Sequence, residues 1–402
     1  MGFNETPSSE RAHIGFFGRR NAGKSSLVNA VTGQDLVIVS DLKGTTTDPV
    51  HKSMELLPLG PALIIDTPGI DDEGPLGELR VRKAKQVLNK TDVAVLVVDA
   101  ETGKTEADEG LIRLFQEKTV NFITVYNKCD MLPCIPSKVQ AHEIYVSAKQ
   151  GINIEELKEK IAVLAVTEEP KLRILGDLIN PSDFVVLVIP IDKAAPKGRL
   201  ILPQQQTIRD ILEADAAAIV VKEFELRETL EHLGKKPKLV ITDSQVFAKV
   251  SADTPMDVQL TSFSILFARY KGFLLQAVQG VKTLDALQEG QRILIAEGCT
   301  HHRQCDDIGT VKLPRWIKNY TGKALEFGFT SGIEFPEDLS PYRLIVHCGG
   351  CMVNEREMRY RQKCAADQGI PFTNYGTVIA YIQGILKRGV AVFPHILAEI
   401  ED

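Results

Sequence analysis

The chain has 402 residues, 44% of them hydrophobic and 25% charged, with a formal net charge of -6. That length suggests about three domains, each with enough apolar material for its own core, and the acidic balance excludes a general attraction to nucleic-acid backbones or anionic membranes. No apolar run approaches the ~20 residues a bilayer span requires, and Met1 to Gly15 has no signal-peptide pattern, so a cytoplasmic protein with neither a membrane nor a nucleic-acid partner is expected.

From His13 to about Thr167, strand-like runs alternate with helix-like ones: IGFF, KSSLVNAVTG, ALIID, LRVRKAKQVLNK, DVAVLVVDA, ADEGLIRLFQEK, NFITVYNK, EIYVS and NIEELKEKIAVLA. Such alternation predicts an α/β domain over residues 1–168, its mostly parallel sheet covered on both faces. Ligands of such sheets bind at the carboxyl ends of the strands.

The motifs sit at those ends. Gly18-Arg19-Arg20-Asn21-Ala22-Gly23-Lys24-Ser25, with Ser26 beside it, fits G-x-x-x-x-G-K-S between a strand and a helix that stops at Gly33. Its glycines let backbone N–H groups curl around phosphates, Lys24 reaches the β/γ oxygens and Ser25 ligates Mg2+. Thr45 and Thr46 supply hydroxyls that complete the magnesium shell and sense the γ-phosphate. Asp66-Thr67-Pro68-Gly69 offers a carboxylate to the metal through water and the Gly69 N–H to the γ-phosphate. Lys24, Thr46 and Gly69 form the predicted catalytic set.

Asn127-Lys128-Cys129-Asp130 names the base, because the Asp130 carboxylate accepts from N1 and the exocyclic amine of guanine, a discrimination worth on the order of 10⁴-fold. Ser147-Ala148-Lys149 adds a backbone donor for the guanine oxygen. A P-loop GTPase follows, with GTP and Mg2+ as ligands. Ile70 stands where Ras-like proteins carry a water-orienting glutamine, so intrinsic hydrolysis is expected to be slow. Asn21 and the segment Ser40 to Thr46 resemble the TrmE and Era branch of GTPases. That resemblance implies a K+ ion beside the phosphates near Asn21; loop geometry alone is the other reading of this asparagine.

A second alternating block, from FVVLVIPI to DSQVFAKV, predicts a small α/β domain over 169–270 with no catalytic motif, suited to packing or oligomerisation. The third block, 271–402, holds the cysteine cluster. Cys299-Thr300-His301-His302 closes the strand-like run RILIAEG, and His347-Cys348-Gly349-Gly350-Cys351 closes YRLIV. If these runs are parallel neighbours, Cys299, Cys348 and Cys351 converge, and helix formers from Met352 to Gln368 put the second pair at a helix N-terminus that favours thiolates. Three thiolates suit an iron-sulfur cubane with one open iron; a structural zinc would need a fourth ligand, and His301, His302, Cys305 and His347 are available. Cys129, Cys134 and Cys364 read as buried structural thiols.

A TrmE-like GTPase followed by C-x-H, a gap of 45 residues and H-C-x-x-C resembles HydF, the maturation GTPase family of iron-iron hydrogenases, over the whole chain. The resemblance implies a GTPase, a dimerisation domain and an α/β cluster-binding domain. It also implies a 4Fe-4S cluster on Cys299, Cys348 and Cys351, with His301 and His347 at the motif's histidine positions. Its implied function is that of a scaffold, a homodimer or homotetramer, which receives a two-iron subcluster made by radical-SAM maturases and delivers it to apo iron-iron hydrogenase. The alternative from a different class is an RNA or ribosome-assembly GTPase with a structural zinc, although no basic RNA-binding module follows the GTPase.

Overall fold

The computed structural model describes residues 6–33, 49–69, 83–136, 139–166, 172–191, 200–298, 307–332 and 334–401. Thr45, Thr46, Ile70, Cys299, His301, His302 and Cys305 lie outside the described residues. The chain divides into two compact units, Met1–Pro170 with Asn354–Glu357, and Lys171–Val353 with Met358–Asp402.

The first unit is built on a six-stranded sheet: β1 (Ala12–Phe17), β2 (Val50–Leu56), β3 (Gly60–Asp66), β4 (Val93–Asp99), β5 (Asn121–Asn127) and β6 (Glu143–Tyr145), in the order β2-β3-β1-β4-β5-β6. Its apolar runs divide by the two-residue period of a strand. Ile14, Phe16, Val93, Val95 and Val97 face a core shared with the helices Lys24–Thr32 and Ile154–Ala165. Phe17, Ala94, Leu96 and Val98 face the helix at 83–89 and the helix Glu106–Glu117. All pairs are parallel except β2 with β3. Periodicity does not mark β2, because VHKSMEL is charged and largely exposed; pairing along the sheet edge, rather than burial, makes it a strand.

In the second unit, two parallel four-stranded sheets lie on one continuous apolar core. The first has β7 (Phe184–Val188), β8 (Ala217–Val221), β9 (Leu239–Thr242) and β10 (Gln259–Ser262) in the order β10-β9-β7-β8. The second has β11 (Arg292–Ala296), β12 (Glu326–Thr330), β13 (Leu344–His347) and β14 (Phe372–Asn374) in the order β12-β11-β13-β14. The runs RILIA and LIVH, buried almost throughout, are direct neighbours, with Ala296 opposite His347. Both therefore end at the same sheet edge, as the convergence of the cysteines requires. Among the described residues no helix is long and apolar enough to cross a membrane.

Candidate functional site

The parallel order of β3, β1, β4, β5 and β6 brings Asp66, the P-loop, Asp99, Asn127 and Ser147 to one edge of the first sheet. Gly18 has φ 138°, and a Cβ there would lie 2.3 Å from the Val97 carbonyl oxygen, so only glycine lets the loop leave β1 across β4. Asn21 has φ 62° and is exposed, a conformation that asparagine tolerates. Gly23 then caps the helix Lys24–Thr32, and Gly33 ends it in the left-handed region as expected. Lys24 is buried and its ammonium donates to the carbonyls of Gly18 at 3.0 Å and Arg19 at 2.7 Å.

Ser25 donates its hydroxyl to Asp66 Oδ2 at 2.8 Å, while Asp66 Oδ1 is buried with no protein donor. Burial pushes the Asp66 carboxyl above the ordinary carboxylate range, and the Ser25 hydroxyl and the Lys24 ammonium offset part of this. A buried carboxylate oxygen without a partner beside a serine hydroxyl is a donor set that fits a hard cation such as Mg2+. Gly69 abuts the P-loop: a Cβ there would sit 2.4 Å from Arg20 Cγ and 2.9 Å from Arg20 N.

The base-reading motifs are wired to the phosphate loop. Asn127, 2% exposed, donates through Nδ2 to the Ala22 carbonyl at 3.1 Å and accepts at Oδ1 from the Ala148 N–H at 3.1 Å. One side chain thus fixes the P-loop against the Ser147-Ala148-Lys149 turn. Lys128, at φ 65°, places Nζ 2.6 Å from Asp99 Oδ2. Burial alone would raise the Asp99 carboxyl; the Lys128 ammonium reverses this and holds it below its ordinary value. Asp130 is half-buried in the turn after β5, and Ser147 is fully buried with Oγ accepting from the Gln150 N–H at 3.1 Å. Ser26 is half-buried and Lys149 exposed.

A second site forms where β11 and β13 end. The Cys348 N–H donates to the Ala296 carbonyl at 2.8 Å, continuing the ladder, and the Cys348 Sγ accepts from the N–H groups of Gly298 at 3.1 Å and Gly350 at 3.4 Å. Gly298, the residue before Cys299, is therefore in contact with the C-x-x-C turn. Gly350 makes that turn with φ 63°. Backbone donors aimed at sulfur stabilise thiolate character, which suits Cys348 as a ligand of an iron-sulfur group. Cys351 has the opposite tendency: burial pushes its thiol up, the Cys348 sulfur adds to this, and the Lys271 ammonium acts against both. The helix after the turn starts at Glu355, four residues beyond Cys351.

His347 is fully buried, stacked on Phe372, with both ring nitrogens engaged. A carbonyl only accepts and a guanidinium only donates, so the 2.7 Å bond from Nδ1 to the Cys348 oxygen and the 3.0 Å bond from Arg361 to Nε2 fix the proton on Nδ1. Arg361, also fully buried, donates to the Gly332 carbonyl at 2.7 Å and lies over the Phe335 ring. Sequence reasoning missed Arg361, Lys271 and Tyr375, whose hydroxyl donates to Glu297 at 3.2 Å and whose phenol is raised by burial, then by Cys348 and Glu297. Lys271 caps the helix Phe263–Tyr270, Arg361 lies within the helix Glu355–Asp367 and Tyr375 opens the helix Tyr375–Ile382, and no spacing rule links them to the cysteine motif. Cys129 is buried as expected and Cys364 half-buried, but Cys134 is exposed, correcting its reading as a buried thiol: it lies in the loop after β5, where Met131 and Ile135 are exposed as well.

The fold and the first site define a P-loop GTPase domain carrying further α/β domains. A family model described as a 50S ribosome-binding GTPase matches residues 13–128, one described as the hydrogen maturase F dimerization domain matches 174–272, and one described as the hydrogen maturase F tetramerization domain matches 275–392. The two maturase models together span more than half of the chain, which belongs to the hydrogen maturase F family, HydF. The GTPase region is 36% identical over 163 residues to the tRNA modification GTPase MnmE of Synechococcus sp. strain JA-3-3Ab, covering 39% of this chain and 35% of that protein. It is 35% identical over 191 residues to GTPase Der of Wolinella succinogenes, covering 44% and 40%. The chain thus spans about two fifths or less of the length of these relatives. Among solved structures, Era of Aquifex aeolicus bound to GDP and AlF4- is 22% identical, with a TM-score of 0.35, covering 55% of this chain and 98% of that one.

Proposed function

We propose that this GTPase uses nucleotide binding and slow hydrolysis as a switch on a scaffold that matures iron-iron hydrogenase. In this reading Cys299, Cys348 and Cys351 hold a 4Fe-4S cluster, and the two-iron subcluster is the cargo delivered to apo-hydrogenase. The observation that carries it is the Gly298 N–H on the Cys348 sulfur, which brings the residue preceding Cys299 to the turn that holds Cys348 and Cys351. The cluster would supply a metal site to which cargo attaches; the chain's own part is to aim backbone donors at sulfur and fix the C-x-x-C turn.

In the GTPase domain, Lys24 offsets phosphate charge, Ser25 and Asp66 hold Mg2+, and Asp130 reads guanine. Loss of the γ-phosphate frees the segments that carry Thr46 and Gly69, which alters contacts with partners rather than cluster chemistry. A K+ ion near Asn21 belongs to the same reading, and replacing K+ by Na+ is expected to slow hydrolysis. His347 acts by orienting Cys348, since both its nitrogens have protein partners. The apolar strand β8 lies at an edge of its sheet with Val220 47% exposed, an edge along which a second copy would add strands, in keeping with a homo-oligomer.

The test is anaerobic reconstitution with iron and sulfide, followed by electron paramagnetic resonance and a hydrogenase-activation assay. A cubane signal together with activation supports the proposal; a protein that takes up only zinc and activates nothing contradicts it.

A further inference from the structure

Lys271 follows the helix Phe263–Tyr270, near the junction of the two maturase domains, yet it is only 6% exposed. Its ammonium donates to the carbonyls of Gly350 and Val353, which flank Cys351 on either side. Burying a lysine is costly unless its protons are satisfied, and the C-x-x-C turn supplies the acceptors. The arrangement also works in reverse: the two bonds hold the turn to a fixed point at the end of another helix. The charge of the ammonium also acts on the Cys351 sulfur, where it favours the thiolate.

We infer that Lys271 is a positioning residue for the cysteine site, clamping the C-x-x-C turn through Gly350 and Val353 and supplying positive charge to whatever anionic group the cysteines hold. The inference rests on the cluster reading above. Two separable effects follow. The hydrogen bonds govern whether the turn is formed, and the charge governs the reduction potential, because net charge and hydrogen bonding around the sulfurs set that potential. Removing a nearby positive charge disfavours the reduced, more negative state, so the potential falls.

The experiment uses the full chain as Lys271→Gln and Lys271→Met, reconstituted anaerobically with ferrous iron and sulfide. Iron per chain, the midpoint potential from a titration followed by electron paramagnetic resonance, and thermal unfolding of the iron-free proteins are recorded. Lys271→Gln, which keeps donors and loses charge, is expected to hold iron within about twofold of the unsubstituted chain. Its reduced state should be about tenfold less favoured, a fall of about 59 mV for a one-electron couple. Lys271→Met, which loses donors as well, is expected to lose more than half of its iron. If Lys271→Met fails to fold, the potential of Lys271→Gln decides. Iron content and potential unchanged in Lys271→Gln, with full iron in any folded Lys271→Met, would overturn the clamp. If the unsubstituted chain takes up no cluster, the cluster reading itself falls; if it loads and the variants match it, only the role of Lys271 falls.

Discussion

The two sites are built alike and held differently. Each collects its residues where parallel strands end, β1, β3, β4, β5 and β6 in one unit and β11 and β13 in the other. At the nucleotide edge the motif residues hold one another: Asn127 ties Ala22 to Ala148, Ser25 meets Asp66, and Lys24 folds onto its own loop. At the cysteine edge the motif is held from outside, by Lys271, by Arg361 through His347, and by the Gly298 N–H. A self-supporting site tolerates only those changes that keep its internal bonds, whereas an externally held one can be retuned from residues that never touch its ligand.

The largest expected effect is on base choice. Asp130→Asn exchanges a double acceptor for a donor and an acceptor, so GTP affinity should fall about 10³-fold or more while xanthosine nucleotides gain. A nucleotide titration that found unchanged GTP affinity would remove Asp130 from the site. Next in size, Cys348→Ser or Cys351→Ser leaves a cubane with two protein thiolates, and iron per chain should drop about tenfold. GTP turnover in the same preparations should stay within about twofold, since neither cysteine belongs to the nucleotide edge.

Asn127→Ala leaves the Ala22 carbonyl and the Ala148 N–H without their partner, at a cost of about 1–3 kcal/mol per buried group. Denaturant unfolding should show the loss, and nucleotide affinity should fall with it. An unaffected variant would mean that the P-loop and the Ser147 turn are held independently. The smallest effect is expected from His347→Ala. Because the ring orients Cys348 without offering a free nitrogen, iron should remain above half of its normal content while the resonance spectrum changes. Complete loss of iron would give His347 a ligand's role and would require its bond to Arg361 to break.

The same difference explains what could be read from the amino-acid order. The nucleotide site was legible because each motif is contiguous, lies at a strand end and interacts with other motifs; Gly18, Lys24, Asp66, Asn127 and Ser147 all occupy the expected edge. Its hidden part was Asp99, whose pairing with Lys128 depends on β4 lying beside β5. For the cysteine site, the apolar runs closing at Cys299 and His347 predicted neighbouring parallel strands, and β11 and β13 are such neighbours. What could not be read was the frame. Lys271 looks like an ordinary solvated helix-end residue and Arg361 like one charge among many in EREMRYRQKCAAD, and only tertiary packing buries them. The strand β2 escaped notice for the converse reason, being defined by pairing and not by burial.

The central claim is that one chain carries two chemically separate sites, a GTPase and a thiolate-held cluster. The most direct test measures iron per chain and GTP turnover side by side in Lys24→Ala and Cys348→Ser after the same anaerobic reconstitution. The account predicts opposite losses: Lys24→Ala keeps its iron and loses turnover, and Cys348→Ser keeps turnover and loses its iron. Iron lost from Lys24→Ala, or retained in full by Cys348→Ser, would contradict it.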